Sequence, residues 1–342
     1  MTTTLYIAME DALLVVRERD GGWRAEEALR QRRCRAVAVH LRVPGRVFCA
    51  TADRGLWRSE DGGESWSPVG EGIRHSHVMS VAVSAAERGE GSAGVVYAGT
   101  EPSAVFRSDD GGLSWREMDG LLDLPSSDSW SFPPRPETHH VRWIAADPLV
   151  PGRLFVAIEA GALVRSEDGG RTWRDRTPDG PIDTHTLAIH PRVRDRLYSA
   201  AGDGWFESDD GGASWRTPDD GLRHDYCWSC AVDPEDPERV VVSSAEGPTA
   251  AHSAADAESF VYRRDGGGSW RAVGDGLPEP AGTTVASLAA DPVERGVLYA
   301  ANNRGLFRSP DFGSSWHRIE IDWPARFRRQ RVGSLAIVLS PA

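Results

Sequence analysis

Apolar residues in this chain come in short alternating bursts separated by Gly, Pro, Asp and Ser, and this period of two predicts β-strands throughout. Three kinds of strand recur. One is led by Tyr, Phe, Val or Leu: LYIA (5–8), VFCA (47–50), VYAG (96–99), LFVA (154–157), LYSA (197–200) and LYAA (298–301). A second runs into a tight turn, as in GLWRS (55–59) and GLFRS (305–309). A third comes before both and is usually closed by Asp-Pro or His-Pro: VMSVAVS (78–84), VRWIAADP (141–148), TLAIHP (186–191), CAVDP (230–234) and SLAADP (287–292). In chain order these are strands A, B and C, followed by a turn and a fourth strand, D.

The turn carries the most regular phrase in the sequence. It reads RSEDGGESW (58–66), RSDDGGLSW (107–115), RSEDGGRTW (165–173), ESDDGGASW (207–215), YRRDGGGSW (262–270) and RSPDFGSSW (308–316), with a degenerate RERDGGW at 17–23. Its aspartates are Asp20, Asp61, Asp110, Asp168, Asp210, Asp265 and Asp311, and their mean spacing of about 48 residues suits one four-stranded propeller blade per repeat. The chemistry of the phrase is structural. The Asp accepts hydrogen bonds from turn amides, the Gly residues take conformations that other residues resist, and the Trp fills the space beside the next strand.

Seven turns make seven blades. The first A segment, RAVAVH (35–40), stands before the second turn, so the N-terminal blade lacks an inner strand of its own, while a spare copy, GSLAIVLS (333–340), follows the last turn. The expected fold is therefore all-β: one domain over 1–342, a seven-bladed propeller of four-stranded antiparallel blades. Its C-terminal strand joins the N-terminal blade and leaves no open edge. Within the A strands one parity is bulky (Val37, Val81, Ile144, Leu187, Leu288, Leu335) and the other small (Ala38, Ala82, Ala145, Ala188, Ala231, Ala289, Ala336), which lets twisted sheets nest.

The turn phrase resembles the SxDxGxTW Asp-box of BNR-repeat propellers, and the resemblance covers nearly the whole chain. Propellers of this kind include sialidases, xyloglucanases, the sortilin ectodomain and photosystem II assembly factors, so it implies architecture and leaves activity open. It also implies that Asp61, Asp110, Asp168, Asp210, Asp265 and Asp311 are structural and lie away from the binding face. The sialidase constellation is not matched: there is no Arg-Ile-Pro segment near the start, and the order of Tyr226 and the arginines differs. Xyloglucanases of this kind pair two seven-bladed domains with a catalytic Asp from each, where one domain is expected here. The cysteine-rich tail of sortilin has no counterpart.

Composition narrows the function. The net charge is −12, which argues against nucleic acid or anionic membranes as partners. All 39 basic residues are Arg, so Schiff-base and phosphate-loop lysine chemistry are excluded. No apolar run is long enough to span a bilayer, and the N-terminus has no basic segment, so a cytoplasmic location is expected. Cys34, Cys49, Cys227 and Cys230 read as small buried residues. In a regular strand Cys227 and Cys230 face opposite sides of the sheet and cannot share a metal.

Insertions pick out a working face. D–A and B–C connections emerge at the same end of the ring, and the longest of each, 118–140 and 245–260, therefore share a face. Seven of the ten histidines lie on or near it: His75, His77, His139, His140, His185, His224 and His252. Aligned A strands begin with Arg33, His77, His140, Asp183, Tyr226, Thr284 and Arg331; two residues on stand Arg35, Met79, Arg142, His185, Trp228, Ala286 and Gly333. B–C connections add Glu10, Asp11, Asp53, Glu101, Glu159, Asp203 and Glu246.

The candidate ligand-binding residues are accordingly Arg33, Arg35, Trp130, His140, Arg142, Asp183, His185, Tyr226, Trp228 and Arg331, with Trp130, Tyr226 and Trp228 as stacking surfaces. The expected ligand at the channel mouth is a glycan, small molecule or peptide. No cofactor is expected, although His77, His140 and His185 with nearby acids could hold a divalent metal such as zinc. The favoured expectation is a non-catalytic binding or scaffold propeller. The alternative is a glycoside hydrolase, for which Glu101, Glu137, Asp183, Asp225 and Glu246 are all candidate acids.

Overall fold

The computed structural model describes residues 2–19 and 21–340. It is a ring of seven antiparallel blades. Blade 2 comprises Cys34–Val39, Val47–Thr51, Gly55–Ser59 and Ser67–Val69, and blades 3 to 7 repeat the order, each strand pairing with the next in sequence. In blades 4 and 5 the outermost strand shrinks to single bridges, Arg165 to Arg174 and Glu207 to Arg216. Blade 1 is built from both ends of the chain: Val332–Ser340 is its inner strand and pairs antiparallel with Thr2–Met9, Leu5 opposite Ile337. The closure expected from the sequence is the one observed.

There is no single central core. Apolar side chains collect in seven seams, one between each pair of neighbouring blades. Tyr198, Ala200 and Trp205 of blade 5 meet Cys230, Val232 and Val242 of blade 6, and Leu5, Leu14 and Val16 of blade 1 meet Tyr299 and Leu306 of blade 7. The box tryptophans sit in these seams: Trp115, Trp270 and Trp316 are buried, and Trp66, Trp173 and Trp215 are partly so. Backbones approach closely here. Gly276 holds a left-handed φ of 83°, and a Cβ on it would overlap the carbonyl of Trp316 in the next blade.

Five boxes share one hydrogen-bond pattern. In blade 4, Ser166 Oγ donates to Asp168 at 2.9 Å, and Asp168 also accepts from the Thr172 amide (2.9 Å) and hydroxyl (2.7 Å). The Gly170 amide closes onto Ser166 Oγ at 2.8 Å. Asp61, Asp110, Asp210 and Asp311 repeat this scheme. Asp265 departs from it. Arg263 stands where the other boxes have Ser, so no hydroxyl bridges the turn, and Asp265 instead accepts from Arg239, Arg263 and Arg271. Asp20, in the degenerate copy, lies outside the described residues. Replacing Asp168 with Ala strands one turn amide and two hydroxyls, and is expected to cost roughly 1–3 kcal/mol. A thermal melt checks this. An unchanged melting temperature would refute the structural role given to the box.

The inner strands hold a feature the sequence did not reveal. Each of six blades carries a β-bulge at the same place. The extra, unpaired residue is Arg35 in blade 2, Met79 in blade 3, Arg142 in blade 4, His185 in blade 5, Trp228 in blade 6 and Gly333 in blade 1. Bulges bend a strand and re-aim side chains. The bulge at Trp228 also breaks the period of two, so Cys227 and Cys230 do not face opposite sides; both are buried in the seam between blades 5 and 6. All four cysteines are free and buried.

Candidate functional site

The bulges aim residues of five blades at the channel mouth, and a small cavity of about 60 Å³ lies among them. Arg35, Met79, Arg142, Trp228 and Gly333 line it, together with His140 and Arg331 at the starts of two inner strands. Phe132 and Arg135 come from the 118–140 insertion, and Glu159 from the turn after the second strand of blade 4. The other long insertion forms a short helix, Pro248–His252, whose His252 ring packs 4.2 Å from Trp228. A neighbouring cavity of about 570 Å³ shares Arg35, Met79 and Arg135 and extends over blades 2 and 3, past Arg33, His77, Glu101 and Glu137. The two make one polar groove across the mouth.

Two carboxylates flank the imidazole of His140. Its Nε2 lies 2.6 Å from Glu159 Oε2, and its Nδ1, buried and without a hydrogen-bond partner, lies 3.8 Å from Glu101 Oε2. These distances and the ring between them keep the carboxylates within roughly 9 Å, inside the outer limit for a pair acting on one glycosidic bond. Burial pushes the Glu159 carboxyl up. The His140 hydrogen bond and the charges of His140, Arg142 and His185 outweigh it and hold that carboxyl well below the usual range, so it is ionised. Glu101 takes two hydrogen bonds from Arg135, at 3.1 and 2.7 Å.

Beside this pair lies an aromatic and cationic wall. Arg142 stacks on Trp228 with its guanidinium carbon 4.4 Å from the ring centroid. His185 is fully buried, with Nδ1 on the Cys227 carbonyl at 2.7 Å and its ring 4.7 Å from Trp228. The Tyr226 hydroxyl lies 3.5 Å from His185 Nε2 and 3.3 Å from His252 Nε2.

Several expectations are corrected by this geometry. Trp130 is no stacking platform: it is 5% exposed, packs in the seam between blades 3 and 4, and donates to Ser126 Oγ. Trp228 is none either, being buried under Arg142 and the rings of His185 and His252. The metal trio does not assemble. His140 is held by Glu159 and His185 by a backbone carbonyl, while His77 is exposed in the neighbouring cavity; among the described residues no three His, Cys, Asp or Glu could hold an ion. Asp183 turns to the backbone, accepting the Ala160 amide at 2.7 Å. Arg33 is exposed at the groove's far end, and Asp225 and Glu246 are exposed. Sequence reasoning missed Phe132 and Arg135, whose one signal was their place in the longest insertion. It noted Glu159 without singling it out.

Comparison with known proteins adds three findings. No protein-family model matches the chain. A xyloglucanase of Hypocrea jecorina (strain QM6a) is 28% identical over 156 residues, which is 45% of this chain and 16% of that protein. Among solved structures, the GH74 enzyme of Niastella koreensis superposes with a TM-score of 0.65 at 16% identity, over 91% of this chain and 53% of the enzyme. YCF48 bound to a D1 peptide gives 0.53 at 16% identity, over 86% of this chain and 82% of that one. The chain thus spans under a fifth of its curated relative and about half of the GH74 enzyme. The structural likenesses establish the fold class, a seven-bladed propeller of the kind found in GH74 enzymes and YCF48. The sequence match to a xyloglucanase runs against the expectation of a non-catalytic binding or scaffold propeller. Among the described residues no helix is long and apolar enough to cross a membrane.

Proposed function

We propose that this propeller is a glycoside hydrolase acting on a glycan laid across the channel mouth. The observation that carries this reading is the sequence match to a xyloglucanase, supported by a polar groove holding two carboxylates on either side of one imidazole. Cleaving a glycosidic bond requires one carboxyl group to protonate the leaving oxygen and another to act on the opposite side of the sugar. Glu159, held ionised, fits the second role, with His140 and Arg142 fixing its position. Glu101 fits the first once an incoming sugar displaces Arg135, a half-exposed side chain of the inserted loop that otherwise keeps Glu101 paired. Phe132, partly exposed beside His140, supplies the apolar surface on which a sugar ring rests.

The test is a hydrolysis screen of the purified protein against xyloglucan, other neutral β-glucans and uronic-acid-containing glycans, reading new reducing ends. Release from at least one glycan is expected. Absence of release from all of them, with a folded protein, would refute the proposal.

A further inference from the structure

We propose that Arg35, Arg142 and Arg331 form an anion subsite at the mouth, and that the glycan processed there carries a carboxylate, as a uronic-acid sugar does. This deepens the hydrolase reading and rests on it for the identity of the occupant.

Three arginines border one cavity while the chain as a whole carries a charge of −12. Most arginines elsewhere in the ring are matched: Arg46 by Glu60, Arg153 by Glu167 and Asp195, Arg196 by Glu207 and Asp209. The mouth differs. Arg35 has no carboxylate within 4 Å among the described residues, and its Nε is buried without a hydrogen-bond partner. Arg142 is 9% exposed, and its nearest carboxylate, that of Glu159, is 3.8 Å away, beyond hydrogen-bond distance. Arg331 reaches only the rim, 3.5 Å from the half-exposed Glu10. Burial, and then the charges of Arg331, Arg33 and Arg142, pull the Arg35 guanidinium down to about 10 against the opposing pull of Glu10.

Like charges gathered in a partly dry site repel one another, and an anion among them relieves that repulsion where a neutral hydroxyl does not. The bulges are what gather them. Arg35 and Arg142 are the unpaired residues of their strands, and Gly333, at the same place in blade 1, packs against the Arg35 backbone, where a Cβ would overlap the Arg35 carbonyl. Stacking on Trp228 fixes the plane of Arg142 and leaves its in-plane N–H groups available, a geometry matched to the two oxygens of a carboxylate. The acidic remainder of the protein does not prevent this, since exposed charges beyond about 8 Å are largely screened at physiological salt.

Calorimetric titration distinguishes the outcomes. The probe is a glucuronate-containing oligosaccharide, compared with the same oligosaccharide after reduction of its carboxyls. The acidic form is expected to bind at least tenfold more tightly, with the preference shrinking in 0.5 M NaCl. Arg331→Gln, at a partly exposed position, should weaken the acidic form about fivefold and the reduced form less than twofold, with the melting temperature checked alongside. Arg142→Lys, which keeps the charge and loses the fork, should weaken it more. Equal binding of the two forms, or no effect of Arg331→Gln on the acidic form, would overturn the subsite. A free-acid tetrapeptide that bound tenfold more tightly than the acidic sugar, while its amide did not bind, would overturn the glycan as occupant. The hydrolase reading fails separately: hydrolysis of neutral and acidic glycans alike sinks the subsite alone, whereas acid-selective binding with no glycan cleaved sinks the hydrolase alone.

Discussion

Deleting residues 332–342 should lower the melting temperature by at least about 10 °C and leave a protein prone to association. The segment removed is the inner strand of blade 1, hydrogen-bonded along its length to Thr2–Met9. Val332 and Ile337 are buried in the seam between blades 7 and 1, and Leu335 packs against it. At roughly 1.5–3 kcal/mol for each fully buried aliphatic side chain, the first two alone contribute several kcal/mol. The loss extends beyond that strand. Ser334 Oγ accepts the Val37 amide of blade 2 at 2.9 Å, so one strand ties together three blades. Without it, Thr2–Met9 becomes an open edge lined by Leu5 and Ile7, a template for pairing with another chain. Since ~1 kcal/mol moves the midpoint of a 150–250-residue domain by about 2–4 °C, the predicted shift stands well clear of error even for this longer chain. A truncated protein melting within about 2 °C of the parent would mean that the ring is closed by something else.

How much of this was legible beforehand depends on whether a feature is local or depends on strand pairing. Blade count, strand order and closure were readable, because each blade must solve the same turn and seam problem and therefore repeats the same residues. That the two long insertions gather at one end of the ring was readable too, from antiparallel connectivity. The bulges were not. They exist only in the pairing of one strand with its neighbour, as when Val141 and Trp143 face Ile158 and Ala157 and Arg142 is left over. Aligning the inner strands nevertheless placed Arg35, Met79, Arg142, His185 and Trp228 in one ring, because the bulge falls at the same step of the repeat. Trp130 was misjudged for a different reason. Its polar neighbours, Ser129 and Ser131, suggested an exposed ring, whereas the loop folds back and delivers it to a seam formed by residues distant in sequence. Asp265 was misjudged because the phrase was read by its Asp and Trp, while the hydroxyl two residues before the Asp completes the turn in the other five boxes.

Glu159→Gln and Glu101→Gln should each lower kcat/KM on the cleaved glycan by about 10²–10⁴-fold, the range usual for losing a positioned acid or base. Gln keeps the shape of the side chain and an oxygen that can accept from His140, so a large fall in rate with little change in melting would place the defect in the chemistry. A merely structural role predicts the opposite pattern. Removing the Glu159 charge would then unsettle His140 and Arg142, melting would fall, and the residual folded enzyme would keep its kcat. Residues that act as a unit are also not additive, so the double variant should be barely slower than the worse single one. Full activity in both variants would leave the groove as the place where the glycan sits and would require the catalytic carboxylates to come from elsewhere on the ring.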